Sequence, residues 1–215
     1  MPWWGMPGVR LPMFPLSAVV FPHASLPLHV FEPRYREMLR ECLAGDQRFG
    51  TVLIERGSEV GGGDQRSPLG TRCVVTQAVE MPDGRWFLQA RGEALIEVER
   101  WLSDDPYPAA LVTEPVPVPD PEDPGPVLAE ATRRVRRARA LLAEHGDGAA
   151  VPADVELDGG GDPEVASWQL CAAAPVSAYD AQRLLAADGA AERLRFLVEL
   201  MEDLEVDLER MLASE

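Results

Sequence analysis

Apolar residues in the first half of the chain come in short runs broken by proline and glycine. In the last third they recur every three or four positions. The first pattern predicts strands and the second amphipathic helices. Leu11–Phe14, Ala18–Phe21 and Leu26–Phe31 are strand candidates punctuated by Pro12, Pro15, Pro22 and Pro27. Pro33 then stands where a helix begins, and Arg34–Ala44 carries Tyr35, Met38, Leu39 and Cys42 on one face before Gly45 ends it. Phe49–Ile54 is the next strand and Gly57–Gly70 a polar, glycine-rich loop. Thr71–Met81 and Arg85–Ala90 flank the hairpin signal Pro82-Asp83-Gly84, and Ala94–Leu102 and Ala109–Val118 complete six or more strands. Strands this short, with turns between them, predict a barrel or curled antiparallel sheet rather than a parallel one.

Prolines at 115, 117, 119, 121, 124 and 126 mark a boundary, because such a run favours an extended, semi-rigid spacer. The expected organisation is a β domain over 1–118, a proline-rich linker over 119–126 and a helical part over 127–215. Val127, Leu128, Ala131, Val135, Ala138 and Leu142 form one helix face, and Arg133, Arg134, Arg136, Arg137 and Arg139 occupy the others. Residues 146–163 are an acidic, glycine-containing loop. Short helices over Glu164–Ala173 and Ala178–Ala186 lead into a long final one. There Leu194, Leu197, Met201, Leu204, Leu208 and Met211 repeat at heptad spacing. Under three heptads, packing within the chain is the expected use, with a homodimer through this helix as the alternative. Its outer face, from Glu199 to Glu209, is acidic and reads as solvated.

Charge and composition remove several function classes. All 20 basic residues are arginine; the chain contains no lysine. A Walker A phosphate loop, a Schiff base and a Ser–Lys protease centre each need one. The net charge is −16. Through Val118 there are 11 Arg and 15 Asp/Glu (net −4), and beyond it 9 and 21 (net −12). Such a surface repels a phosphate backbone, so the arginine cluster reads as a balanced, solvated face and nucleic acid is not expected. Cys42, Cys73 and Cys171 are odd in number and far apart, which suits a reducing cytoplasm. Met1–Gly8 lacks a signal-peptide pattern. The charge-free stretch Leu11–Phe31 contains four prolines, which rule out a membrane helix there.

Candidate chemistry is sparse. His23, His29 and His145 have no partner at metal-ligand spacing. Asp154, Glu156, Asp158, Gly159 and Asp162 echo a calcium loop, but Val165 stands where the bidentate glutamate belongs. No catalytic residue, cofactor site or metal site is expected.

A specific set of residues carries a resemblance. Leu11-Pro-Met-Phe-Pro-Leu, Val20-Phe-Pro, Leu26-Pro-Leu-His-Val-Phe-Glu-Pro-Arg-Tyr-Arg and Phe49-Gly-Thr-Val-Leu-Ile lead it. Leu69-Gly-Thr and Asp83-Gly-Arg follow, with Asp180-Ala-Gln-Arg-Leu-Leu further on. Together they closely resemble the N-terminal substrate-binding domain of Lon proteases, which also occurs in cereblon and in small standalone bacterial proteins. The resemblance implies an α+β fold: a PUA-like β-barrel with one helix, followed by a C-terminal helical bundle. It implies a role in holding polypeptide substrates and does not imply proteolysis. The family usually shows an Arg-Phe pair after the glycine matching Gly92; here the run is Gly92-Glu93-Ala94-Leu95.

The expected function is therefore non-enzymatic binding of unfolded or hydrophobic polypeptides in cytoplasmic protein quality control. The alternative is an adaptor that docks a separate protease or chaperone through the acidic final helix. A small-ligand enzyme in a barrel pocket comes third. Phe31, Glu32, Arg34, Tyr35, Trp3 and Trp4 are the candidate polypeptide-binding residues. Within that set Phe31 and Tyr35 also read as core, and Glu32 with Arg34 as a local ion pair.

Overall fold

The computed structural model describes residues 8–57, 65–116, 120, 122–144 and 161–212. The chain forms two compact units, Met1–Val116 and Pro117–Glu215. In the first, the strands are β1 (Val9–Leu16), β2 (Ser25–Val30), β3 (Arg48–Arg56), β4 (Gln65–Glu80), β5 (Trp86–Trp101) and β6 (Ala109–Thr113), with helix α1 (Pro33–Ala44) between β2 and β3. The sheet order is β2-β5-β4-β3-β1-β6, and β6 also pairs with β5. That last pairing closes β5-β4-β3-β1-β6 into a ring. β5 is long enough to serve two neighbours along one edge: residues 86–91 pair with β2 and residues 97–101 with β6. β2 is thus a flange on a small barrel.

Alternation in β1 sends side chains to two cores. Phe14 and Leu16 join Tyr35, Met38, Leu39 and Cys42 of α1. Leu11 and Met13 face the other way, onto Val52, Ile96, Ala110 and Val112. The α1 face read from helical spacing is therefore the one that packs, and Tyr35 stacks on Phe14 with ring centroids 4.1 Å apart.

Four expectations need correction. The sheet is not wholly antiparallel: β1 and β3 run parallel, because β2 and α1 intervene and carry the chain across before β3 begins. Ala18–Phe21 is not a strand, although Val20 and Phe21 are buried. The Thr71 hydroxyl donates to the Val20 carbonyl at 2.5 Å, taking the place of a ladder partner. β4 begins at Gln65, six residues before Thr71, so much of the expected loop is strand. Finally, Arg85–Ala90 and Ala94–Leu102 are one strand, β5. Cys73 pairs with Gly92 and Arg72 with Ala94, which leaves Glu93 as the extra residue of a β-bulge. A Cβ at Gly92 would run into the carbonyl of Phe21, so glycine is what lets the Phe21–Ala24 turn lie against the bulge.

The second unit holds α2 (Gly125–Glu144), α3 (Pro163–Ala173), α4 (Ala178–Leu185) and α5 (Gly189–Leu212). Asp162 and Ser177 cap α3 and α4 with their side chains. α5 is capped from a distance: Asp120 accepts the amides of Ala190 (2.7 Å) and Ala191 (3.2 Å). Glu122 pairs with Arg195, and α2 already begins at Gly125, so the stretch expected as a spacer is partly tied to α5. Leu194, Leu197, Met201 and Leu208 of the heptad seam are buried within the unit. The acidic face of α5 is not simply solvated. Arg134 bonds Glu202 (2.8 Å) and Glu205 (3.0 Å), Arg137 bonds Glu205 (3.2 Å) and Glu209 (2.6 Å), and Glu205 is buried. The calcium-like run from Asp154 to Gly159 lies outside the described residues.

Candidate functional site

Three strands build an exposed face on the first unit. In register, His29 of β2 lies beside Phe87 of β5, and Phe87 beside Val79 of β4. Strand alternation that sends Leu28, Val30 and Leu88 inward sends these three outward. The His29 and Phe87 rings stack at 4.4 Å with an interplanar angle of 8°, and Phe31 lies 6.0 Å from His29. Val79 is 60% exposed, Phe31 53% and Phe87 49%. Below this row, Pro27, Gln89 and Gln77 are exposed on the same side. The result is a strip of rings, aliphatic groups and amides without a carboxylate or a guanidinium, on a chain of net charge −16. Packing inside the fold does not require such a strip, because every one of these groups faces water.

The candidate residues fall at different places around it. Phe31 belongs to the strip and is not core. Tyr35 is buried at 3% exposure beneath it, so its ring stabilises α1 and is closed to a partner. Glu32 and Arg34 bond each other at 3.1 Å, and the Arg34 guanidinium lies 4.5 Å from the centre of the Tyr35 ring. Trp3 and Trp4 lie outside the described residues. Phe87, Val79 and His29 were not among the expected site residues. Their signal in the sequence is an apolar residue at an outward-facing strand position, visible once β2, β5 and β4 are set in register.

A second feature lies between β1, β6 and the start of β3. A cavity of about 70 Å³ opens over Leu11, Ile96 and Val112 and is rimmed by Arg10, Asp46, Arg48, Arg72 and Glu114. It has room for about two waters. Its charges are largely spent on each other. Arg48 clasps Glu93 with two bonds (2.7 and 3.1 Å), while Arg72 bonds Glu93 (3.1 Å) and Glu114. Burial alone would raise the Glu93 carboxyl, but the two guanidiniums outweigh it and hold it below the usual carboxylate range. The thiols offer no nucleophile near neutral pH, since burial pushes Cys42, Cys73 and Cys171 up to about 12. Among the described residues no group of three or more His, Cys, Asp or Glu side chains is placed to hold a metal ion. Among them, too, no helix is long and apolar enough to cross a membrane.

A family model described as the ATP-dependent protease La (LON) substrate-binding domain matches residues 10–203. The chain belongs to that family. A LON peptidase N-terminal domain and RING finger protein of Schizosaccharomyces pombe is 26% identical over 133 residues, which is 52% of this chain and 27% of that protein. A Lon protease of Flavobacterium johnsoniae is 27% identical over 108 residues, 49% of this chain and 13% of that protein. The chain thus spans a quarter or so of the first of these relatives and far less of the second. A Lon N-terminal domain protein from Xanthomonas campestris has the same fold: TM-score 0.63 at 24% identity, over 89% of this chain and 98% of that one. The α+β architecture of barrel and helices is that of the Lon substrate-binding domain. In this Lon-type domain the bulged Glu93 binds Arg48 and Arg72 together at the barrel rim.

Proposed function

We propose that the outer face of β2, β5 and β4 binds unfolded or hydrophobic polypeptide segments, in cytoplasmic protein quality control and without chemistry of its own. The carrying observation is the charge-free row His29–Phe87–Val79 with Phe31 beside it, half exposed on a strongly acidic chain. Membership of the Lon substrate-binding family supports the reading. Burying on the order of 300 Å² of apolar surface there would contribute roughly 7 kcal/mol before the cost of association. That is enough for weak, reversible capture. Three buried free thiols suit a reducing compartment. An adaptor role for the acidic final helix has less to stand on, since Glu202, Glu205 and Glu209 are already engaged by Arg134 and Arg137.

The test is fluorescence anisotropy of a labelled apolar peptide with the full chain, alongside suppression of aggregation of a denatured client. Phe87→Ser and Phe31→Ser are expected to weaken peptide binding at least 5-fold while leaving the melting temperature within a degree or two. Undiminished binding by both variants would overturn the assignment of the face.

A further inference from the structure

We propose that this face is read through side chains alone, and that Pro27 bars an incoming strand from its free edge. The inference rests on the functional reading above and adds the mode of recognition, and with it the class of segment recognised.

β2 is hydrogen-bonded only to β5 among the described strands, so its far edge is an unpaired row of peptide groups beside the ring cluster. An apolar face next to an open edge invites strand addition, by a client or by another copy of the chain. The phase of the ladder decides which groups that edge presents. The Gly92 amide donates to the Ala24 carbonyl at 2.9 Å, one step before the pair Ser25↔Arg91. Peptide groups alternate in direction along a strand. Those of Leu26, Leu28 and Val30 therefore point to β5, and those of Ser25, Pro27 and His29 point to the free edge. The middle one has no N–H. Its ring carbon occupies the space where an amide hydrogen would stand. A docking strand would find the Ser25 and His29 amides about 13 Å apart, with a blocked position between them and one of its own carbonyls unpaired.

The same proline serves the face. Pro27 is exposed on the side of His29 and Phe31, so its ring extends the apolar strip while its missing amide closes the edge. Binding then depends on which side chains a segment presents and not on its ability to extend and pair. Helical, turned or disordered apolar segments are equally admissible, and β2 does not template a sheet between copies.

Two measurements on the full chain test this. The first compares a labelled apolar dodecapeptide with two N-methylated forms of it, one methylated at odd positions and one at even, so that either hydrogen-bonding edge is removed. Affinities within 2-fold of the parent are expected; a loss of 10-fold or more for either form would overturn the proposal. The second is Pro27→Val, which restores the amide. It is expected to tighten binding of the unmethylated peptide at least 5-fold and to produce concentration-dependent self-association in sedimentation. A folded Pro27→Val variant that stays monomeric, with unchanged peptide affinity, would overturn the role of Pro27. Should the wild-type chain bind none of the peptides, the functional reading fails, while the self-association of Pro27→Val still decides whether the proline guards the edge.

Discussion

The seam between α2 and α5 and the outer face of β2, β5 and β4 treat charge in opposite ways. Along the seam, Arg134 and Arg137 reach across to Glu202, Glu205 and Glu209, and the Glu205 carboxylate is only 8% exposed. Each charge there has a partner inside the same unit. On the strand face the rows His29–Phe87–Val79 and Pro27–Gln89–Gln77 carry no charge, the first guanidinium being that of Arg91 in the next row of β5, and rings and aliphatic groups stand in water. Ion pairs between arginine and carboxylate hold a surface to itself. An uncharged apolar strip has its complement elsewhere, so substitutions in the two regions should separate stability from binding.

The deepest charged group gives the largest stability effect. Arg193 is 2% exposed, stacks on Trp168 at 3.1 Å and bonds Ser167 and Glu164. Arg193→Ala is expected to cost about 3 kcal/mol, read by urea denaturation of the full chain. A loss under 1 kcal/mol would show that the pairing is dispensable.

At the barrel rim, Glu93→Gln removes the carboxylate shared by Arg48 and Arg72 and is expected to cost about 2 kcal/mol near neutral pH. The pH dependence has a definite sign. A carboxyl held below its ordinary value of 4.5 adds stability above that value, and the stability is lost as pH falls through the lower folded value. Wild type and Glu93→Gln should therefore converge in stability as pH drops below about 4. A difference that persists undiminished at pH 2 would point to packing instead of charge.

Arg137 is 58% exposed, so Arg137→Ala should cost only about 0.5 kcal/mol, and less still at 1 M salt. Thermal melts at two ionic strengths check it. Smallest of all, Phe87→Ser should leave stability within about 0.5 kcal/mol of wild type. If Phe87→Ser destabilised the chain as much as Glu93→Gln, the strand face would be part of the structure and the contrast would fail.

Much of the architecture is legible because local physics writes it. Pro33 and Gly45 bracket α1, and the spacing of Tyr35, Met38, Leu39 and Cys42 names the face that packs. Leu194, Leu197, Met201 and Leu208 of the heptad seam lie on the buried side of α5, while Met211 at its end is exposed. The site was only partly readable. Phe31 could be named, but whether it faced core or water depended on alternation from a β2 start that sequence does not fix. Tyr35, two residues after Pro33, was as plausible a contact until stacking on Phe14 placed it inside. The acids of α5 looked solvated because the partners that neutralise them are about 70 positions away.

By itself, then, the sequence determined the change of period from strand to helix, the absence of lysine chemistry, the acidity and the family. Each of these depends on residue identity or near-neighbour spacing. Tertiary structure alone decided the parallel pairing of β1 with β3, the bulge that aims Glu93 at two arginines and the cap that Asp120 gives α5. It also decided the meeting of His29, Phe87 and Val79 on one face. All of these depend on register between strands or contact between distant segments, and a shift of one residue in pairing would send the same side chains to the opposite side.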